Sequence, residues 1–410
     1  MVVAEKKLIV WNPYTKGYFD NPYEHLLECQ ANSPIQKSIH NQFVLFKHKN
    51  IKEALKLPTF NTSNLSQYFA NKEPVIFKNN VGCPYMSMVS KKWLMYLDDE
   101  EHITARNFCE EGLNSFNYET LVDEAAEEVL NNFSTKKEFD LVDLSAQLPS
   151  IVISKLLGIY DTNSFAKYKQ IAHSLALSQD IFIPIKTYLE INKDMEWIYR
   201  LLSEVYDKKK IINDNSLTSY LLELNKKNNN LFTKSEIISI LIVLFLGAIE
   251  TSKDSISMIC FELMKNRNLL DILKTGSSVD INLLVEECLR YTSTLQYTIR
   301  VNKEPYELES FVIPPNSQLL LCLAAGNRDS EVFETPNTII PDRRNNPHFA
   351  FGAGKHSCIG AKLARLELRS FLPKFAPLLE KLDFNSAQPP VWQKTVFMRG
   401  VEKFPVIYQQ

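Results

Sequence analysis

The chain of 410 residues lacks several features that would place it in other classes of protein. Its formal net charge at pH 7 is only -2, so no basic surface for nucleic acid is expected. The strongest apolar run, residues 237–249, is shorter than the about 20 residues that span a bilayer. Residues 1–19 contain no apolar run of a signal peptide or membrane anchor. We therefore expect a cytoplasmic protein with no membrane anchor, and residues 237–249 predict a helix in a buried core.

Glycine is scarce, and the cysteines form no recognisable framework. The chain has 11 glycines and seven cysteines, and no two cysteines stand in a Cys-x-x-Cys pair. An odd number of scattered cysteines is typical of a reducing compartment rather than of a disulfide-linked protein. Against this background, one short stretch is unusual: HFAFGAGKHSCIGAKLARLEL, residues 348–368, surrounds Cys358 with three of the few glycines.

The periodicity of apolar residues predicts a mainly α protein with a smaller β part, an α+β fold. Helical spacing is found at about 98–292 and 359–378. Strand-like pieces fall in three regions, at about 33–60, 296–325 and 380–410. Residues 58–95 are rich in Asn, Ser, Pro and Gly and predict a long irregular stretch. Because no linker-like segment separates these regions, we expect a single domain over residues 1–410.

The surroundings of Cys358 favour a chemical role for its sulfur. Cys358 comes just before a predicted helix, whose dipole and N–H groups favour the thiolate. Gly352 and Gly354 permit a tight turn, and Gly360 removes a side chain beyond the sulfur. A thiolate could be a nucleophile, a zinc ligand or a haem ligand, whereas most free cysteines are buried and inert. Only two histidines lie nearby, too few for a closed zinc site, and His356 is poorly placed as a catalytic base.

Residues 349–365, FAFGAGKHSCIGAKLAR, resemble the haem-binding loop of the cytochrome P450 family. The resemblance implies a single triangular-prism-like domain, with the haem between the long distal helix and the helix after the cysteine loop. It implies haem b (iron protoporphyrin IX) as cofactor, with Cys358 as the axial ligand of the iron. Phe351, Gly352 and Gly360 would belong to the cofactor-binding loop.

The segment EECLR resembles the Glu-x-x-Arg pair of the same family. Glu287 and Arg290 are three residues apart and share one face of a predicted helix. On these residues alone, a surface ion pair is the ordinary interpretation. The resemblance implies instead a buried structural pair, with Arg343 as its third partner.

The segment LGAIETS, at the end of the long apolar run, places an acid and an alcohol inside an apolar helix. Such polar groups are costly there unless they have a task. The resemblance implies that Glu250 and Thr251 deliver protons on the oxygen-binding side of the haem. The family usually has glycine where this chain has Ala248, which favours an alternative. In that alternative, the same fold performs peroxide-driven or non-oxygenating haem chemistry.

Two further segments resemble the parts of the family that bind the haem propionates. His102 and Arg106, in DDEEHITAR, are four residues apart and point to the same side of a helix. Arg300, in QYTIRV, and His356, in the cysteine loop, match the other two positions. The resemblance implies that these four side chains neutralise and hydrogen-bond the two propionates.

The resemblance implies a monooxygenase that inserts one atom of O2 into a lipophilic small molecule, by hydroxylation or epoxidation. A polyketide, a terpenoid or a fatty acid is expected, as in secondary metabolism. The expected pocket residues are Val243, Leu246, Gly247, Ala248, Leu295, Gln296, Thr298 and Phe397. Because the chain has no G-x-G-x-x-G and no flavin or iron–sulfur motif, its electrons should come from a ferredoxin or flavodoxin with its reductase. We expect a monomer, and a non-enzymatic haem carrier or sensor is the remaining alternative.

Overall fold

Helices form most of the structure, and short strands gather into small sheets. The computed structural model describes residues 9–62, 64–78, 84–159, 164–181, 183–309 and 311–409. Over these residues the helices are α1 (Tyr23–Asn32), α2 (His48–Lys56), α3 (Leu65–Ile76), α4 (Tyr85–Val89), α5 (Asp99–Asn114), α6 (Glu119–Phe133), α7 (Leu141–Leu157), α8 (Phe165–Ser178), α9 (Ile185–Ile211), α10 (Leu217–Lys227), α11 (Lys234–Lys265), α12 (Leu269–Thr275), α13 (Ser278–Thr292), α14 (Leu323–Gly326) and α15 (Ala361–Leu379). The strands are β1 (Ile35–Lys37), β2 (Phe43–Leu45), β3 (Phe60–Asn61), β4 (Glu138–Asp140), β5 (Tyr297–Asn302), β6 (Tyr306–Leu308), β7 (Phe311–Ile313), β8 (Gln318–Cys322), β9 (Leu382–Phe384), β10 (Val391–Trp392), β11 (Val401–Lys403) and β12 (Pro405–Tyr408). The prediction of a mainly α protein with a smaller β part is confirmed.

The prediction of an irregular stretch at 58–95 is wrong, because α3 and α4 lie within it. The side chain of Asn64 accepts a hydrogen bond from the backbone N–H of Gln67 at 2.9 Å and so caps the start of α3. Phe69 and Met86 are buried and anchor the two helices. The segment whose turn-forming residues suggested a loop thus includes a helix cap and buried apolar side chains.

The chain divides into two compact units, and the first holds the largest sheet. This unit comprises residues 1–63, 258–358 and 390–403. Its sheet has the order β1-β2-β8-β5-β3, in which β2 and β8 run parallel and the other neighbours antiparallel. Leu319 and Leu321 of β8 face a buried cluster that also contains Phe43 and Phe349. Because Phe349 begins the FAFGAGKHSC segment, this core anchors the start of the cysteine loop.

The second unit, residues 64–257, 359–389 and 404–410, is mainly helical. In it α6 packs against α7 and α15, α8 packs against α9, and β4, β12 and β9 form a small sheet. Thr233 and Glu236 exchange hydrogen bonds at the start of α11, as in a capping box. By length and composition α11 could cross a membrane, but 67% of its most apolar window is buried within the structure. Such burial is typical of a core helix, as predicted from the sequence.

Gly354 makes the cysteine loop pack directly against the end of α2. Its φ is +73°, a region that residues with a side chain rarely adopt. A Cβ atom at this position would lie 2.3 Å from the carbonyl oxygen of Leu55. Both the backbone conformation and the close approach therefore require glycine.

We predict that Gly354→Ala destabilises the protein more than Gly17→Ala does. Gly17 also has a positive φ, +84°, but a Cβ there would meet no atom within 4 Å. The control should therefore lose only the strain of a left-handed residue, about 1–2 kcal/mol, whereas Gly354→Ala adds a backbone clash. Urea unfolding of the two variants measures the difference. Equal losses would show that the contact with Leu55 does not constrain the loop.

Candidate active site

The cysteine loop is a short, hydrogen-bonded segment. The backbone N–H of Cys358 donates to the carbonyl oxygen of Phe351 at 2.9 Å, and that of Ser357 donates to Gly354 at 3.0 Å. Cys358 is exposed. The other cysteines in the described part of the chain are all buried: Cys29, Cys109, Cys260, Cys288 and Cys322.

Burial separates those cysteines chemically from Cys358. It raises the pKa of Cys109 and of Cys322 to about 12, which keeps them as neutral thiols. Because Cys358 is exposed, the interpretation of this residue as an inert buried thiol is excluded. Within the described ranges, no group of three or more His, Cys, Asp and Glu side chains could hold a metal ion, so the zinc-site alternative has no ligand set.

A buried carboxylate, Glu287, fixes the chain that leads into the cysteine loop. It accepts from Arg290 through Nε at 2.8 Å and Nη2 at 2.7 Å, and from Nε of Arg343 at 3.0 Å. The backbone N–H of Ile340 donates to it at 2.9 Å. Glu287 and Arg290 are both fully buried, so the interpretation as a surface pair does not apply. These bonds hold α13 against residues 336–346, just before the loop.

Glu250 and Thr251 lie side by side on α11 but have different environments. Glu250 is fully buried, with Lys253 Nζ 2.7 Å from its Oε2 and His173 Nδ1 2.9 Å from its Oε1. Lys253 also lies 3.3 Å from Asp254 Oδ1. The hydroxyl of Thr251 donates to the carbonyl oxygen of Gly247, one turn earlier, at 2.7 Å.

Burial and charge act in opposite directions on the two acids of this cluster. Burial by itself would raise the pKa of Glu250, but the Lys253 ammonium and the hydrogen bond with His173 hold it well below its usual range. Burial raises the pKa of Asp254, which Lys253 only partly offsets. Burial lowers the pKa of Lys253 less than Asp254 and Glu250 raise it. Lys253 therefore stays protonated, and Glu250 is the ionised acid.

The residues on one stripe of α11 are half-buried, whereas the neighbouring residues of the helix are buried. The stripe consists of Leu244, Gly247, Ala248, Thr251 and Ser255, at helical spacings of three and four residues. A Cβ at Gly247 would meet no atom within 4 Å, so this face borders open space. We call these five residues the open face of α11.

The open face contains only some of the predicted pocket residues of α11. Gly247 and Ala248 belong to it, whereas Leu246 is fully buried and Val243 nearly so, and their place in the pocket stays a prediction. Each residue advances the helix by about 100°, and this turn places both side chains away from Gly247. Leu244 was missed, although counting three residues back from Gly247 would have found it.

The other predicted pocket residues lie together in the first unit. Leu295 forms an antiparallel bridge with Met398, and the backbone N–H of Gln296 donates to the carbonyl oxygen of Phe397 at 2.8 Å. Gln296 and Phe397 are buried, whereas Leu295 and Thr298 are half-buried. The segment after α13 and the C-terminal hairpin are thus brought together.

The residues predicted to bind propionates are divided between the two units. His102, which is buried, and Arg106 share one side of α5, and Arg106 Nε lies 2.7 Å from Glu110 Oε1. Arg300 is in β5, where its Nη1 donates to the carbonyl oxygen of Ile299 at 2.8 Å. His356 lies in a half-buried 3-10 turn of the cysteine loop.

A further buried acid, Glu367 of α15, was not predicted from the sequence. Ser252 Oγ of α11 donates to its Oε2 at 2.7 Å, and burial raises its pKa to about 7. The bond joins the helix of the acid–alcohol pair to the helix that follows the cysteine loop. A lone glutamate on the apolar face of a predicted helix was the available signal.

The chain is similar to known proteins over almost its full length. The family model described as Cytochrome P450 matches residues 67–275 and 281–396. Cytochrome P450 119 of Sulfurisphaera tokodaii is 31% identical over 360 residues, which are 86% of this chain and 91% of that protein. The biotin biosynthesis cytochrome P450 of Bacillus subtilis is 26% identical over 413 residues, 96% of this chain and 97% of that protein. The crystal structure of P450BioI in complex with hexadec-9Z-enoic acid ligated acyl carrier protein superimposes with a TM-score of 0.83 at 24% identity, covering 96% and 100% of the two chains.

The fold and the site thus define a haem-dependent oxidoreductase, and the chain belongs to the cytochrome P450 family. As a member, it is a monooxygenase that uses haem b as cofactor and O2 as co-substrate. Bacterial members of the family take electrons from redox partners and act on lipophilic substrates.

We predict that Gly247→Ala changes ligand binding without a loss of stability. The added methyl group meets no atom within 4 Å, and alanine favours the helix by up to about 1 kcal/mol. If the open face contacts substrate, the methyl group should weaken the substrate-induced spin-state change roughly tenfold, the low end of what one methyl group does in a pocket.

Gly112→Ala is the matched control, because a Cβ there would lie 2.7 Å from a methyl carbon of Leu221. This control should lower the thermal midpoint and leave ligand titrations unchanged. Unaltered titrations in Gly247→Ala, with every ligand that shifts the spin state, would exclude the open face from the binding site.

Proposed function

We propose that the protein is a haem-thiolate monooxygenase in which Cys358 is the axial ligand of the haem iron. The observation that carries this proposal is the exposed sulfur at the end of a short loop that glycines and backbone hydrogen bonds hold in place. A fixed, accessible thiol next to the start of α15 fits the ligand role. The family match spans both units, which supports one catalytic domain over residues 1–410.

We propose that the remaining haem contacts come from the cysteine loop and from four side chains able to bind propionates. Two arginines and two histidines suit two carboxylates in charge and in hydrogen-bonding capacity. The proposed contacts are Phe351, Gly352 and Gly360 of the loop, and His102, Arg106, Arg300 and His356.

Haem b bound through a thiolate would supply the activation of O2, one atom of which enters the substrate. The chain's own part is to bind and orient the substrate and to deliver protons. Glu250 is ionised and adjacent to Thr251, so we propose this pair as the proton-delivering groups. Leu244, Gly247 and Ala248 offer an apolar surface that suits a lipophilic molecule.

We propose a long acyl chain as the first substrate class to test, ahead of polyketides and terpenoids. Support comes from the biotin biosynthesis relative and from the P450BioI structure, whose ligand is hexadec-9Z-enoic acid on an acyl carrier protein. A ferredoxin or flavodoxin with its reductase is the proposed electron source. Lys362, Arg365 and Arg369 lie along one side of α15 and suit an acidic partner. We further propose a cytoplasmic monomer.

Peroxide-driven chemistry is the second candidate, and Ala248 is the residue that favours it. The Glu250–Thr251 pair favours the O2-dependent reaction, which consumes protons. Comparison of product formation with peroxide alone and with the full electron-transfer system separates the two. Equal rates would support the second candidate.

We predict that Cys358→Ala abolishes the absorption band of the reduced carbon monoxide complex that is characteristic of thiolate-bound haem. The control is Cys260→Ala, which removes a fully buried thiol and should keep the band. A Cys358→Ala protein that keeps the band would refute the ligand assignment.

A further inference from the structure

The cluster around Glu250 has one member that reaches the surface. The side chains of Glu250 and Asp254 are 0% exposed and that of Lys253 is 3% exposed, whereas His173 is 32% exposed. His173 Nδ1 is 2.9 Å from Glu250 Oε1. All four residues belong to the second unit. The imidazole thus has one side on a buried carboxylate and another part in solvent.

We propose that His173 is a positioning residue that links Glu250 to solvent protons. The proposal rests on the proposed function, because His173 would supply the protons that the Glu250–Thr251 pair delivers. No short sequence motif could suggest this role, because His173 is 77 residues from Glu250 in the chain.

Lys253 cannot supply the protons, although it lies as close to Glu250 as His173 does. Two buried carboxylates surround its ammonium group, at 2.7 and 3.3 Å. The loss of its proton would leave both carboxylates without their counter-charge in a buried site. Lys253 therefore acts as a fixed cation that keeps Glu250 ionised, so that a proton reaching Glu250 is held only weakly.

Imidazole suits the link because its two nitrogens can exchange protons on opposite sides of the ring. Nε2 accepts a proton from a solvent acid, whose conjugate base stays in solvent, and Nδ1 gives its own proton to Glu250 Oε1. The ring is then neutral with its hydrogen on Nε2, and a rotation that brings Nδ1 to solvent, where it gains a proton while Nε2 loses one, restores the original tautomer. Because Lys253 disfavours the protonated form of Glu250, a proton placed there passes on to the Thr251 side or returns to His173.

The other charged groups around α8 have partners of their own. On α9, Asp194 accepts from Lys167 Nζ and from Ser174 Oγ, both at 2.8 Å. On α7, Asp143 is paired with Lys169. Among the described residues, the charged group recorded at hydrogen-bond distance from His173 is the carboxylate of Glu250, which is paired in turn with Lys253.

Two substitutions separate proton transfer from simple hydrogen bonding. In His173→Asn, the amide nitrogen can replace Nδ1 as a donor to Glu250, but an amide cannot pass a proton on. In His173→Ala, both abilities are lost. His40→Asn is the control, because His40 is an exposed histidine in the first unit.

We expect the holoenzymes of both His173 variants to keep the thiolate band with carbon monoxide and the substrate-induced spin-state change. Product formed per electron pair consumed should fall about tenfold in both, less than the roughly 100-fold that a directly acting acid contributes. The solvent deuterium isotope effect on product formation should rise in both. The control should match the unsubstituted protein.

Full coupling in His173→Asn would overturn the proposal, because a hydrogen bond alone would then suffice. Unchanged coupling in both variants would also overturn it. The contact itself has an independent readout: His173→Ala and Glu250→Gln should have non-additive effects on thermal unfolding, and additive effects would refute the contact. If the unsubstituted protein shows no thiolate band with carbon monoxide, the proposed function itself would be refuted.

Discussion

The arrangement of the site depends on one buried carboxylate, Glu287. It receives hydrogen bonds from two arginines and from the backbone at Ile340, and none of its charge is exposed. Arg290 in turn donates to the carbonyl oxygens of Asn327 and Pro336. Such a group stabilises a fold only when every partner is present, since removal of one partner leaves a buried charge at a cost of about 3–5 kcal/mol. These bonds therefore fix the backbone conformation of the segment before the cysteine loop.

The same chemical group serves a different purpose at Glu250. Glu287 is bound by donors from several directions, including two guanidinium groups that remain charged at any ordinary pH. Glu250 is bound by one buried cation, Lys253, and by the imidazole of His173, a group that can both donate and accept a proton. One carboxylate is therefore fixed in a single state, and the other can take part in chemistry. Burial is common to both, and the partners decide the outcome.

Sequence patterns identified the features that are local or that follow a fixed spacing. The turn around Gly354, the pair Glu287–Arg290 and the acid–alcohol step on α11 all lie within a few residues, so their geometry follows from helix and turn rules. The bond between Glu250 and His173 joins residues far apart in the chain, and no periodicity could place them together. The wrong interpretation of residues 58–95 had another cause, because turn-forming residues there also include a helix cap.

Helix geometry also explains why the predicted pocket residues of α11 have different surroundings. Gly247 and Ala248 lie on the open face of α11, but Leu246 does not, because neighbouring residues on a helix point in different directions. The run of apolar residues gave no information about which side of the helix is packed. Only the tertiary contacts of α11 distinguish a side chain in the core from one beside open space.

The hydrogen bond from Thr251 to the carbonyl oxygen of Gly247 has a directional consequence. A hydroxyl group has one hydrogen to donate and two lone pairs that accept. In Thr251 that hydrogen is donated to the helix backbone, so the residue offers acceptor capacity to the open face, and it can pass a proton on only when this bond is exchanged. A molecule that hydrogen-bonds to Thr251 from that side must bring the hydrogen itself, and a group without one finds no partner there.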